Sequence, residues 1–257
     1  MSKWHGLELP TAYYQDEWVY IIHGDCREIL PQLGRIETIV TDPVWPNAVV
    51  KLPGRNSPVK LFKEMVKSVD HADRLVIQLG CDTDPRFLKN IPHVFPFLRV
   101  CNLDYTIPHY KGRILYTGDI AYVFGIPPIS IPGRHLMSGK CVSSVSDRQN
   151  IRGSGRNRQR TMEHNPEDKF GHPTPRRLQH VKWLVQQFSD NLVVDPFLGS
   201  GTTAVAAKEL NRYCIGIEIE EKYCECAAKR CCQSVMDLRE PLLITDLFCV
   251  AGGNSTG

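Results

Sequence analysis

Six short runs of apolar and β-branched residues punctuate the chain, at positions 18–22, 36–41, 74–79, 121–124, 192–195 and 213–218. They are nearly continuous rather than alternating, as expected of strands buried on both faces. Elsewhere the apolar positions follow a helical period. Leu178, Val181, Leu184, Val185 and Phe188 fall on one face, with Thr174 set to cap and Pro175 at the first helical position. Residues 204–210 and 221–235 read as helices in the same way. Strands alternating with helices predict an α/β fold with a doubly wound, mainly parallel sheet, in which ligands bind beyond the carboxyl ends of the strands. No internal repeat is present.

One stretch breaks the pattern. Residues 127–169 are rich in Gly, Pro, Ser and Arg, without sustained periodicity, and include RGSGRNRQR at 152–160, with four arginines and no acid. This reads as a basic insertion. Residues 1–126 and 170–238 then form two halves of one domain, and 239–257, ending AGGNSTG, is expected to be a frayed tail.

Composition narrows the class. With 257 residues and 42% hydrophobic content the chain can bury a full core. It has no run of about 18 apolar residues, as a membrane span requires, and its start, MSKWHGLELP, lacks the core of a signal peptide. A cytoplasmic protein is expected. The formal charge of +3 is too small to imply a nucleic-acid partner, so the clustering of the arginines matters more than their number. The ten cysteines are scattered through strand-like and helix-like segments, as reduced packing residues are. Cys224, Cys226, Cys231 and Cys232 lack the paired knuckles of a structural zinc site, His164 and His172 read as loop histidines, and no metal is expected.

The chemistry concentrates in NLVVDPFLGSGTTAVAAKEL, residues 191–210. An apolar strand ends at Asp195, a tight loop carries Gly199 and Gly201, and a helix of small residues begins near Thr202. Such a turn brings backbone N–H groups against a ligand. The next strand ends at Glu218, set to accept hydrogen bonds from both hydroxyls of a ribose. The loop lacks the Lys-Ser/Thr of a phosphate-cradling NTPase and the G-x-G-x-x-G of dinucleotide enzymes, so an adenosine ligand without phosphate fits better.

The string DPFLGSGTT resembles the cofactor loop of the DNA methyltransferases that methylate exocyclic amines, and HPTPRRLQHVKWLV at 172–185 resembles the segment preceding that loop. TDPVWPN at 41–47 stands where the beta subgroup of that family has its catalytic tetrapeptide, and YIIHGDCREILPQL at 20–33 is similar to its opening strand. The resemblance covers residues 18–230 and implies a Rossmann-like fold, S-adenosylmethionine as cofactor and double-stranded DNA as substrate. It assigns the cofactor to Asp25, Asp195, Pro196, Phe197, Gly199, Ser200, Gly201, Thr202 and Glu218. Catalysis falls to Asp42, Pro43 and Trp45, and target recognition to the basic insertion, with Arg152, Arg156, Arg158 and Arg160 on DNA phosphates.

The tetrapeptide has its own physical logic. An exocyclic base amine is a poor nucleophile because its lone pair is delocalised into the ring, so its hydrogens must be accepted and its nitrogen drawn toward tetrahedral geometry. The Asp42 carboxylate and the Pro43 carbonyl offer two acceptors, and Trp45 offers a face for a base extruded from the duplex. Two positions depart from the family: Val44 replaces a second proline, which leaves the backbone there less fixed, and Arg176-Arg177 stands where Lys-Pro is usual. By the same resemblance, in which a leading Asp goes more often with adenine and a leading Ser with cytosine, N6 of adenine is the expected target and N4 of cytosine the alternative. A catalytically silent DNA-binding protein on the same scaffold is the alternative from another class, and an RNA or protein methyltransferase fits the motif order less well.

Overall fold

A computed structural model describes residues 2–46, 54–129, 140–142 and 176–233. The first elements are two short strands, β1 (Ser2–Trp4) and β2 (Leu7–Leu9), which pair antiparallel across His5 and Gly6. Both turn residues have positive φ, 47° and 83°, as a tight two-residue hairpin requires. The hairpin tucks Trp4 and Leu9 into the core.

Nine further strands make one sheet. In chain order they are β3 (Tyr14–Gln15), β4 (Val19–His23), β5 (Ile36–Thr41), β6 (Ala72–Gly80), β7 (Phe97–Lys111), β8 (Ile114–Gly125), β9 (Lys140–Val142), β10 (Leu192–Asp195) and β11 (Tyr213–Glu218). Their spatial order is β3-β4-β11-β10-β5-β6-β8-β7-β9. The central five, β4, β11, β10, β5 and β6, are parallel, and β8 runs antiparallel to β6. The expected doubly wound, mainly parallel sheet is therefore present, with an antiparallel hairpin at one edge.

The near-continuous apolar runs follow from burial on both faces. Tyr20, Ile22, Ile39, Leu75, Ile77, Val194, Ile215 and Ile217 face one core, and Val19, Ile21, Val40, Val76, Val193 and Cys214 face the other. Among the described residues the α-helices are α1 (Cys26–Ile29), α2 (Pro58–Lys67), α3 (Leu178–Phe188), α4 (Thr202–Lys208) and α5 (Glu221–Gln233). Phe62, Met65 and Val66 of α2 join the first core, whereas Ala204 and Ala207 of α4 and Val181, Leu184, Val185 and Phe188 of α3 join the second. The helices that follow β5 and β10, neighbours in the sheet, thus pack on opposite faces. That makes the ends of β5 and β10 the topological switch point, at whose crevice ligands bind in open α/β sheets.

Two details differ from the sequence reading. α3 starts at Leu178, with extended backbone at Arg177 (φ −66°, ψ 123°), rather than at Pro175, and Arg177 supplies no side-chain cap. The side chain of Arg176 reaches back to Asp42 after β5 and to Asp119 of β8, which draws the backbone there out of the helix; Thr174 and Pro175 lie outside the described residues. The basic insertion contains a strand, β9, paired parallel with β7 at Asn102, Leu103 and Asp104. The remainder of 130–175 and the tail from 234 lie outside the described residues, as do Arg152, Arg156, Arg158, Arg160, His164 and His172.

Cys101, Cys214, Cys224 and Cys231 pack within the second core, as small apolar side chains do. Cys226 is half-buried and Cys232 exposed. Among the described residues no group of three His, Cys, Asp or Glu side chains could hold a metal ion, and no helix is long and apolar enough to cross a membrane.

Candidate active site

All the candidate residues within the described segments gather where the parallel strands end. Asp195 closes β10 and organises the turn that follows. Its carboxylate accepts from Thr203 Oγ1 at 2.6 Å, from Thr41 Oγ1 at 2.7 Å and from the Phe197 amide at 3.1 Å. Burial pushes this carboxyl up, and the three donors oppose that shift. Asp195 therefore shapes the loop from within, tying it to β5 and to α4.

The loop is held tightly from behind. Gly201 sits at φ +83°, and a Cβ there would lie 2.7 Å from Ala227 Cβ, so only glycine fits between the loop and α5. Arg230 of α5 donates through Nη1 to the Ser200 carbonyl at 2.7 Å, to Ser200 Oγ at 3.0 Å and to Thr202 Oγ1 at 3.1 Å. Sequence reasoning missed Arg230, since a lone basic residue on an amphipathic helix carries no local signal.

Glu218 ends β11 with its side chain almost wholly buried. Oε2 accepts from the Gly199 amide at 2.7 Å and Oε1 from the Glu220 amide at 2.9 Å, so the carboxylate is fixed and each oxygen keeps a further lone pair. Burial raises its pKa, and the two amides counter that. Glu218 lines a cleft of ≈ 220 Å³ together with Gly24, Asp25, Pro196, Phe197 and α2. Asp25 also caps α1 by accepting from the Arg27 amide at 2.9 Å, and it pairs with the Arg27 guanidinium at 2.5 Å. The Arg27 hydrogen bonds hold the Asp25 carboxyl below the usual carboxylate range. Arg27 reaches on to Glu64 of α2 at 2.8 Å and so spans the cleft. Of the predicted cofactor residues, Asp25, Pro196, Phe197 and Glu218 line the cleft, whereas Asp195, Gly199, Ser200, Gly201 and Thr202 form and brace its loop.

Asp42, Pro43, Val44 and Trp45 follow β5 directly. Pro43 is buried, and Val44 and Trp45 are half-buried. The Thr41 hydroxyl bond to Asp195 ties this tetrapeptide to the cofactor-type loop across the crevice. Asp42 is paired with Arg176, which also reaches Asp119 of β8. Burial pushes the Asp42 carboxyl up to about 7; Asp119 and Asp195 add to that, and Arg176 acts against it.

This layout has counterparts. The DNA methylase family model matches residues 44–230. The type II methyltransferase M.BglII of Bacillus subtilis is 41% identical over 70 residues, 26% of this chain and 19% of that protein. M.HindIII of Haemophilus influenzae is 48% identical over 54 residues, 20% of this chain and 18% of its own length. The matched segments thus span about a fifth of these curated relatives' length. Among solved structures, the complex of M1.HpyAVI with SAM superimposes with a TM-score of 0.57 at 22% identity, covering 82% of this chain and 98% of that one. PvuII DNA methyltransferase, described as cytosine-N4-specific, gives 0.60 at 16% identity, covering 85% and 88%. The fold is that of these enzymes, and the chain belongs to the DNA methylase family.

Proposed function

We propose that the protein transfers a methyl group from S-adenosylmethionine to an exocyclic amine of a base in double-stranded DNA. The observation that carries this reading is the Thr41–Asp195 hydrogen bond of 2.7 Å, which joins the residue before the amine acceptor to the first residue of the cofactor loop. A methyl donor held by the loop and an amine held by Asp42 would lie on adjacent strand ends. Because the sulfonium is already an activated donor, the protein's task is proximity and acceptance of the amine's hydrogens. The fixed Glu218 carboxylate suits the two ribose hydroxyls, Phe197 and Pro196 supply apolar walls, and the SAM complex of M1.HpyAVI supports the same cofactor.

On this reading Asp42 and the Pro43 carbonyl accept the amine hydrogens, and Trp45 stacks on the extruded base. Arg152, Arg156, Arg158 and Arg160 contact phosphates, as a basic segment without acids is suited to do. N6 of adenine is the favoured target because the tetrapeptide begins with Asp; the fold of the cytosine-N4-specific PvuII enzyme supports N4 as the second reading. A role in restriction-modification fits the type II methyltransferases among the relatives, and the cytoplasm is the compartment such an enzyme would share with its DNA.

The test is transfer of labelled methyl from S-adenosylmethionine to duplex DNA. The wild-type chain is expected to label DNA, and Asp42→Ala to lose at least about 100-fold in rate while keeping its cofactor affinity, since a group acting mainly in the transition state is removed. Equal labelling by the variant would remove Asp42 from the chemistry.

A further inference from the structure

Arg176 precedes α3 and has no part in the reading above. Its Nε donates to Asp42 Oδ2, its Nη2 to Asp42 Oδ1 at 2.6 Å, and its Nη1 to Asp119 Oδ2 at 2.9 Å. The same guanidinium lies with Cζ 4.4 Å from the centroid of the Trp45 ring. One cation, 134 positions along the chain from Asp42, therefore touches both side chains assigned to the base.

Its anchor is built. Asp119 is buried and accepts from Tyr105 Oη of β7 at 2.7 Å and from Gln78 Nε2 of β6 at 3.3 Å. Tyr105 is packed in turn, with Arg177 Cζ 4.2 Å from its ring centroid and the ring of His180 near-parallel to it at 6.1 Å. The Arg176 side chain is only 15% exposed.

We propose that Arg176 is a positioning residue for methyl transfer: anchored on Asp119, it sets the orientation of the Asp42 carboxylate and covers one face of Trp45, leaving the opposite face for the base. The proposal rests on the assignment of Asp42 and Trp45 to the base. A guanidinium fork takes one lone pair from each Asp42 oxygen, and the remaining lone pairs can accept from an amine. Lysine, a point charge without the planar fork, could not hold the carboxylate in one orientation and cover an indole together.

Charge adds a second consequence. The groups facing Asp42 are Arg176 before α3, Asp119 of β8 and Asp195 of β10. Tyr105 and Arg177 lie behind Asp119, and His180, lowered to about 4 by burial, is neutral at working pH. An acceptor must be ionised, so activity should be present above the Asp42 pKa and fall as pH drops through about 7. Without Arg176, two carboxylates would face Asp42 without the cation, and this limb would move to higher pH.

The test compares the whole chain with Arg176→Lys and Arg176→Ala, measuring kcat and KM for duplex DNA across pH, with cofactor affinity by calorimetry. Arg176→Ala should lower kcat on the order of 100-fold with cofactor affinity unchanged, move the acid limb upward by about one pH unit or more, and recover in part when guanidinium is added. Arg176→Lys should keep the limb near its wild-type position with kcat still reduced. Wild-type kcat and an unmoved limb in both variants would overturn the proposal, as would a loss of cofactor affinity and melting temperature matching the loss of activity without guanidinium rescue. A wild-type chain that methylates no amine would overturn the functional reading itself, and the proposal with it.

Discussion

Glu218 shows what a single residue contributes and how much of it can be read from sequence. Its place at the end of an apolar run, some eighteen residues past the glycine loop, marked it as a ribose acceptor, and the structure adds that two backbone amides hold it rigid. Replacing it with alanine removes the two acceptors proposed for the ribose and takes the carboxylate partner from the Gly199 and Glu220 amides. Calorimetry should find S-adenosylmethionine binding at least about tenfold weaker, near 1.4 kcal/mol, in a chain that still folds. Unchanged affinity would take Glu218 out of the cofactor site. Arg176 was visible in the sequence only as a departure from a family pattern. Its pairing with Asp42 and Asp119 joins segments 134 and 57 positions apart, and no local spacing encodes such a contact.

At the scale of elements, legibility followed burial. β5, β10 and β11 were read with their observed bounds because both faces of each strand are covered, which makes the run apolar from end to end. β7 was missed: Phe97, Val100 and Tyr110 are exposed and fit no single period, Pro108 interrupts it, and its register with β8 shifts twice. β9 was missed because a three-residue strand has no period to detect. The contact that matters most for the site also lies at this scale, where the Thr41 and Thr203 hydroxyls join β5 and α4 to the end of β10 through Asp195. Thr41→Val or Thr203→Val would leave a buried carboxylate one donor short. Each is expected to destabilise the fold by about 1–3 kcal/mol, read as a lowered denaturant midpoint. Thr41→Val should also lower methyl transfer more than Thr203→Val, because only Thr41 adjoins the tetrapeptide. Wild-type stability in both variants would mean that Asp195 is satisfied without these hydroxyls.

For the whole molecule, the sheet does the organising. The helices after β5 and β10 leave on opposite faces, and the crevice between those strands receives the cofactor loop from one side and the tetrapeptide from the other. This followed from alternating strand and helix patterns, whereas the strand order came only with the structure, because β10 and β11 insert between β4 and β5, which precede them by more than 150 residues. On the proposed function, the same crevice chemistry would serve either base amine, since two acceptors and an indole face do not distinguish adenine from cytosine. Mass spectrometry of nucleosides from duplex DNA incubated with the protein and S-adenosylmethionine tests the central claim directly. The account predicts N6-methyladenine, absent with Asp42→Ala. N4-methylcytosine alone would keep amine methylation and reverse the base, and 5-methylcytosine or no methylated nucleoside would contradict the account.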